Sequence, residues 1–196
     1  MKALPHLGRT EDLGQHGSWR FTRETAIDPE LVLVFHELYE VAFGPLRTQS
    51  LARQVLTEAE FREQMVDSAV TKYVAWTLDG EPVGLCTMTN QLHTVPWISP
   101  EYFAARYPEH WARDAIWYYG FTLAHPSQRH ARFLDQMVEV SVGEPLAQQA
   151  VCAWDMCEFN DEGLGLGARL NRAFERFTGR TPDRTDTQNY YTVDFS

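Results

Sequence analysis

Apolar positions recur along this chain with two different periods, and each period names an element. Trp19-Arg20-Phe21-Thr22-Arg23 alternates apolar and polar side chains, the pattern of a short strand. Leu31, Phe35, Leu38, Tyr39 and Ala42 then recur at helical spacing. Asp28-Pro29-Glu30 opens that helix with an N-cap, a first-turn proline and a first-turn acid, and Gly44-Pro45 closes it. Thr57-Glu58-Ala59-Glu60 is a capping-box pattern for a second helix running through Phe61 and Met65. Tyr73–Leu78 and Val83–Met88 read as strands joined across Asp79-Gly80, a dipeptide suited to a hairpin. Ala115–Ala124 (AIWYYGFTLA) is an unbroken apolar run, predicting a strand buried on both faces, and Ala150–Phe159 (AVCAWDMCEF) predicts a second. Between them His125-Pro126-Ser127 turns the chain, and Phe133, Leu134 and Met137 form a helical stripe. Its tail, Val138–Val142, also reads as strand. Leu166, Leu170, Ala173, Phe174 and Phe177 make a long amphipathic helix stopped at Gly179, and Asn189–Phe195 alternates like a closing strand.

Two segments break this rhythm. Residues 1–18 carry Gly8, Gly14, Gly17 and mixed charges and read as a flexible N-terminal arm. Residues 91–113 form an aromatic-rich insertion with one helix expected from Ser99. Such a segment between strands either covers a pocket or adds to the core. Residues 19–196 then make a single domain of the α/β (α+β) class, with helices around a mixed sheet.

Composition narrows the reading. At 196 residues, with 44% hydrophobic and 22% charged positions, the chain suits one ordinary globular core. It carries 17 basic and 27 acidic residues, a net charge of −10, which opposes a nucleic-acid footprint and gives a weak bias towards cationic partners. No apolar run approaches a bilayer span and no signal-peptide core follows Met1, so the expected setting is cytoplasmic, away from membranes. Cys86, Cys152 and Cys157 are odd in number with no CxxC pair, and Cys152 and Cys157, five apart in an expected strand, point to opposite faces, which suits reduced thiols in a reducing compartment.

Candidate chemistry is sparse. The segment His125–Arg132 joins a buried strand to a helix and carries His125, Arg129, His130 and Arg132, with no acid before Asp135. Backbone N–H groups at a helix start and those side chains would seat phosphate oxygens, whereas a basic solvated helix start is the plainer alternative. Glu162-Gly163-Leu164-Gly165-Leu166-Gly167 is a rival phosphate loop, or a device for close helix packing. His36 and Glu40 share a helix face without a second histidine, so no metal site is expected. No G-x-S-x-G elbow is present.

The element order and these motifs resemble the GNAT superfamily of acyl-CoA N-acyltransferases. Asp79-Gly80-Glu81-Pro82-Val83-Gly84 looks like the family's second-to-third strand turn. Ala124-His125-Pro126-Ser127-Gln128-Arg129 looks like the end of its fourth strand, V-x-P-x-x-R. The resemblance spans residues 19–195 and implies a GNAT-like fold, a mixed, mostly antiparallel sheet with helices on both faces, splayed to admit pantetheine. It implies acetyl-CoA or another acyl-CoA as co-substrate, held by Leu123, His125, Arg129, His130, Ala131, Arg132 and Phe133, with Asn160 on the pantetheine arm. The family's loop glycines are replaced: Arg132 and Leu134, or Ala131 and Phe133, stand there. Its helix tyrosine falls near Phe174.

The reading is an N-acyltransferase acting on a small-molecule amine, alone or as a homodimer. His93 and Asp155 are the candidate catalytic groups, and Trp97, Tyr102, Phe103, Tyr107 and Trp111 the candidate acceptor wall. The other reading is a GNAT-like module that binds a ligand or a protein without transfer.

Overall fold

The computed structural model describes residues 8–128 and 131–196. Six strands form one sheet in sequence order: β1 (Thr10–His16), β2 (Trp19–Glu24), β3 (Thr71–Trp76), β4 (Pro82–Thr89), β5 (Ile116–Ala124) and β6 (Val151–Ala153). Every pairing is antiparallel except the last, β5 with β6, which is parallel.

Helix α1 (Pro29–Phe43), the short α2 (Leu46–Gln49) and α3 (Glu58–Val66) precede β3. Both halves of the capping box expected at Thr57 and Glu60 are formed. Phe35, Tyr39, Phe61 and Met65 are buried on one face of the sheet with Val74, Leu85, Phe121 and Leu123. On the other face lie α6 (Ala131–Ser141) and α8 (Leu166–Thr178), where Phe133, Met137, Ala173 and Phe174 meet Phe21, Tyr73, Cys86 and Tyr119. Helices therefore cover both faces of a mostly antiparallel sheet. Between β4 and β5 the aromatic insertion folds into α4 (Pro100–Arg106) and α5 (Pro108–Trp111), and Phe103 is buried with Leu92, Ile116 and Tyr118. Short α7 (Gly143–Ala147) links α6 to β6.

Four local expectations are corrected. The N-terminal arm is a strand over residues 10–16, because Gly17 (φ 60°) allows a two-residue turn that sets His16 opposite Trp19. It is held by cross-strand ion pairs, Arg20 with Asp12 at 2.5 Å and Arg23 with Glu11 at 2.5 Å. Residues 1–7 lie outside the described part. Val138–Val142 is not a strand: α6 continues through Ser141, with Met137, Val138 and Val142 buried against the sheet. The strand expected over 150–159 is only Val151–Ala153, since the chain leaves the sheet at Trp154 and winds into a π-helical turn at Phe159–Gly163. Asn189–Phe195 alternates as expected yet pairs with no strand.

β5 carries an irregularity beside its free edge. Cys86 faces Thr122 and Met88 faces Tyr119, so Gly120 and Phe121 together oppose Thr87 in a β-bulge. A Cβ on Gly120 would lie 2.5 Å from Thr87 Oγ1, which also accepts the Phe121 N–H at 3.1 Å. The extra residue reverses the phase of the strand. Tyr119 faces α6 and α8, and two residues on Phe121 faces α1 and α3.

Candidate active site

β5 and β6 pair over only three positions, Ile116–Tyr118 with Val151–Ala153. Beyond Tyr118 and Ala153 they part, although β5 runs on to Ala124. The His125 N–H bonds the Val83 carbonyl at 2.8 Å. Strand alternation then turns the N–H and C=O of Thr122 away from β4, to the edge that β6 has left.

A cleft of about 1850 Å³ opens at this parting. Tyr118, Gly120 and Phe121 of β5 line it, as do Cys152 and Ala153 of β6, Tyr39 and Phe43 of α1, and residues 49–54, 154–163 and 182–192. Its carboxylates, Asp155, Glu158, Asp161, Glu162, Asp183 and Asp186, outnumber its guanidinium groups, Arg53, Arg106 and Arg184. Arg53 is already tied to Glu60 at 2.7 and 2.8 Å. The cleft is therefore a region of negative potential that concentrates cations.

Asp155 sits where β6 has just ended. Its Oδ1 accepts the Trp97 indole N–H at 3.1 Å and the Tyr118 hydroxyl. Two rigid donors on one oxygen fix the carboxylate and leave Oδ2 towards solvent, where it can accept a proton or bind an ammonium. Burial, then the neighbouring Asp155 charge, push the Tyr118 phenol well above its ordinary range, so it stays a donor.

The other expected residues divide. Trp97, Tyr102, Phe103 and Tyr107 line the cleft, and so does Asn160 in the π-helical turn. Trp111 and His93 do not. They line a separate cavity of about 280 Å³ with Asn90, Pro100, Asp114 and Ile116, so the structure does not bring His93 to Asp155 or Trp111 to the other four aromatics. Leu123 is buried opposite Leu85, and the same alternation turns its N–H and C=O towards β4, so the open edge is offered by Thr122 and not by Leu123. Phe133 is a core residue, edge-on to Trp19 at 5.2 Å, and its ring fills the space beside Gly84. His125 and Arg132 are exposed at the end of β5 and the start of α6, with His125 Nδ1 2.7 Å from Ser127 Oγ. Ala131 is the first residue of α6, and Arg129 and His130 lie outside the described residues.

At the rival glycine loop, Gly165 (φ 63°) leads into α8, and the Asp161 carboxylate occupies the place where a Cβ on Gly167 would stand. The chain's own acid thus fills that helix start, and a phosphate there would meet a like charge. On α8 the Phe174 ring stacks on Trp154 (4.6 Å, 11°) and meets Tyr119 edge-on at 5.6 Å. Among the described residues, His36 Nε2 is buried without a hydrogen-bond partner and stands 3.8 Å from Glu40 on the same helix, and no group of three or more metal-ligating side chains occurs.

Sequence reasoning passed over Tyr118, hidden in an apolar run, and the cleft wall formed by residues 182–192. A glycine inside such a run was the available sign of the bulge at Gly120.

No protein-family model matches the chain, and no curated protein matches it in sequence. Solved structures do match in fold. An aminoglycoside acetyltransferase, meta-AAC0020 from an uncultured soil metagenomic sample, in complex with sisomicin, gives a TM-score of 0.50 at 10% identity over 90% of this chain and 97% of that one. The same protein in complex with trehalose gives 0.50 at 11% identity with the same coverage. Aminoglycoside acetyltransferase AAC(6')-Ib, in complex with coenzyme A and kanamycin, gives 0.49 at 18% identity over 80% of this chain and 98% of that one. The protein has a GNAT-like fold. No helix among the described residues is long and apolar enough to cross a membrane.

Proposed function

We propose that this protein is an acyl-CoA-dependent N-acyltransferase that moves an acetyl or other acyl group to an amine of a small molecule. The observation that carries the reading is the parting of β5 from β6, which opens a strand edge onto an acidic, aromatic-walled cleft. The residues present suit an acyl-CoA. Thr122 offers backbone groups at the open edge, Arg132 and His125 stand exposed at the start of α6, and Asn160 faces the cleft. Arg129 and His130 complete that seat in sequence.

When bound, the thioester supplies an acyl carbon open to attack by a neutral amine. Asp155 Oδ2 takes the proton that the incoming ammonium must lose, while Trp97 and Tyr118 hold the carboxylate in place. Trp97, Tyr102, Phe103 and Tyr107 give the acceptor apolar surface. Phe174 has no proton to donate, so in this reading the attacking nitrogen loses its second proton to solvent as the intermediate collapses, and the leaving thiolate takes its proton from solvent. Three free cysteines suit a cytoplasmic setting.

A second reading is favoured by one observation: Phe174 and Trp154 stack at the head of the parting, and no hydroxyl of α8 stands in their place. It makes the protein a binding module without transfer. Thiol release from acetyl-CoA, measured across a panel of primary amines, separates the two. Amine-dependent release supports the transferase. Binding of acetyl-CoA with no release under any amine supports the module, and absence of acetyl-CoA binding overturns the transferase and leaves a module for another ligand or a protein.

A further inference from the structure

The chain beyond α8 does something the proposed chemistry does not require. Gly179 (φ 67°) ends the helix, and residues 182–192 run without regular structure along one side of the acidic cleft. Arg184 is their anchor. Its Nη2 donates to Asp161 Oδ2 at 2.5 Å and lies 3.5 Å from Glu162 Oε1. The other side-chain hydrogen bonds of the segment among the described residues are local, from the Thr187 N–H to Asp186 and from the Ser196 N–H to Asp194. Tyr191 is 90% exposed and Phe195 92%, so apolar burial holds the segment weakly.

Asp161 itself is fixed from behind. It sits against the first turn of α8 beside Gly167, in a place only a glycine leaves open. A fixed carboxylate in the cleft wall thus holds a cation, and that cation belongs to the protein. The side chain of Arg184 is 60% exposed, so the contact is one that solvent and salt weaken and a competing cation can replace.

We propose that residues 182–192 are an autoinhibitory strap along the wall of the acceptor cleft, with the Arg184 guanidinium standing in on Asp161 and Glu162 for the cationic group of an acceptor. This rests on the amine-acceptor reading above and adds to it. An acceptor must carry a cation able to displace Arg184, and lifting the strap widens the cleft. Neutral or anionic acceptors gain nothing from the displacement and meet a narrowed cleft.

Trypsin cleavage after Arg184 in the full-length protein tests the contact without recourse to activity. Asp161→Asn with Glu162→Gln is expected to speed cleavage at Arg184 by up to about fivefold at low salt, the range of an exposed ion pair. The difference should vanish near about 0.5 M NaCl, where charges are screened over a few ångströms. Millimolar spermine, as a probe cation, should speed cleavage of the wild type and leave the double variant unchanged. Glu162→Gln alone, which leaves Asp161 in place, guards against a folding defect in the double variant. In turnover, Arg184→Gln is expected to lower KM for a cationic amine about three- to fivefold with kcat unchanged. Equal cleavage rates in all forms, or a KM that is unchanged or raised in Arg184→Gln, would overturn the strap. If no amine is acylated by any form, the transferase reading fails while the cleavage result still decides the strap.

Discussion

Asp155 carries the proposed chemistry because two unlike donors, an indole and a phenol from separate elements, converge on one of its oxygens. Asp155→Asn should lower kcat/KM for the acceptor by about 100-fold or more, the lower range of general-base catalysis, and leave acetyl-CoA affinity unchanged. Trp97→Phe and Tyr118→Phe each remove one donor and should cost about 3- to 10-fold in the same steady-state assay. A carboxylate with only a structural role would move folding stability in these variants and leave kcat/KM of the folded fraction intact. The thiols of Cys86, buried, and Cys152, half-buried, make a second prediction at this scale. Burial pushes Cys86 and Cys152 up to about 12 from an ordinary value near 9. The folded state keeps both protons where the unfolded chain loses them, so this stability is complete below about pH 9 and is lost as pH rises towards 12. Lys72, pulled down by burial to about 8 while donating to the Thr25 and Asp67 carbonyls, acts in the opposite sense between about pH 8 and 10.5. Urea unfolding followed across pH should therefore show a net decline above about pH 9, at no more than about 1.4 kcal/mol per unit for each thiol, and a shallower one in Cys152→Ala.

At the scale of elements, the bulge in β5 and the short pairing to β6 make the site. Gly120→Ala sets a methyl group against Thr87 Oγ1 at the point where that oxygen holds the Phe121 N–H. The substitution should cost about 1–3 kcal/mol in chemical denaturation, as overpacking does, and should blunt acyl transfer beyond the loss of folded protein. Elements with strong local signals were readable from sequence. The Asp79-Gly80 hairpin, the Thr57–Glu60 capping box and the run at 115–124 each combine turn or cap chemistry with one clear period. Where the deciding term is tertiary, the pattern was silent. β1 is an edge strand held by charged pairs, so it shows no apolar alternation. The strand pattern at 189–195 is present in the residues, but no sheet edge pairs with it. Of the expected site, Asp155, Asn160 and four of five aromatics meet at the cleft because their segments flank the parting strands. His93 and Trp111 sit in the same insertion yet face a different cavity, a distinction set by the packing of α4 that spacing alone does not carry.

At the scale of the whole molecule, the sheet divides the labour. His125 and Arg132 stand exposed where β5 ends and α6 begins, and the cleft at the parting is acidic and aromatic. Under the proposed function, the sequence run of His125, Arg129, His130 and Arg132 in a chain of net charge −10 serves the anionic acyl-CoA, and the acidic cleft serves the amine. The most direct test is calorimetric titration of the full-length protein with acetyl-CoA, wild type beside Arg129→Ala and Arg132→Ala. Saturable one-site binding by the wild type is expected, weakened about 10- to 100-fold in each variant, the range for charge-assisted hydrogen bonds to phosphate. Wild-type binding that neither variant alters would place the pyrophosphate elsewhere, and no binding of acetyl-CoA or longer acyl-CoAs would contradict the transferase altogether.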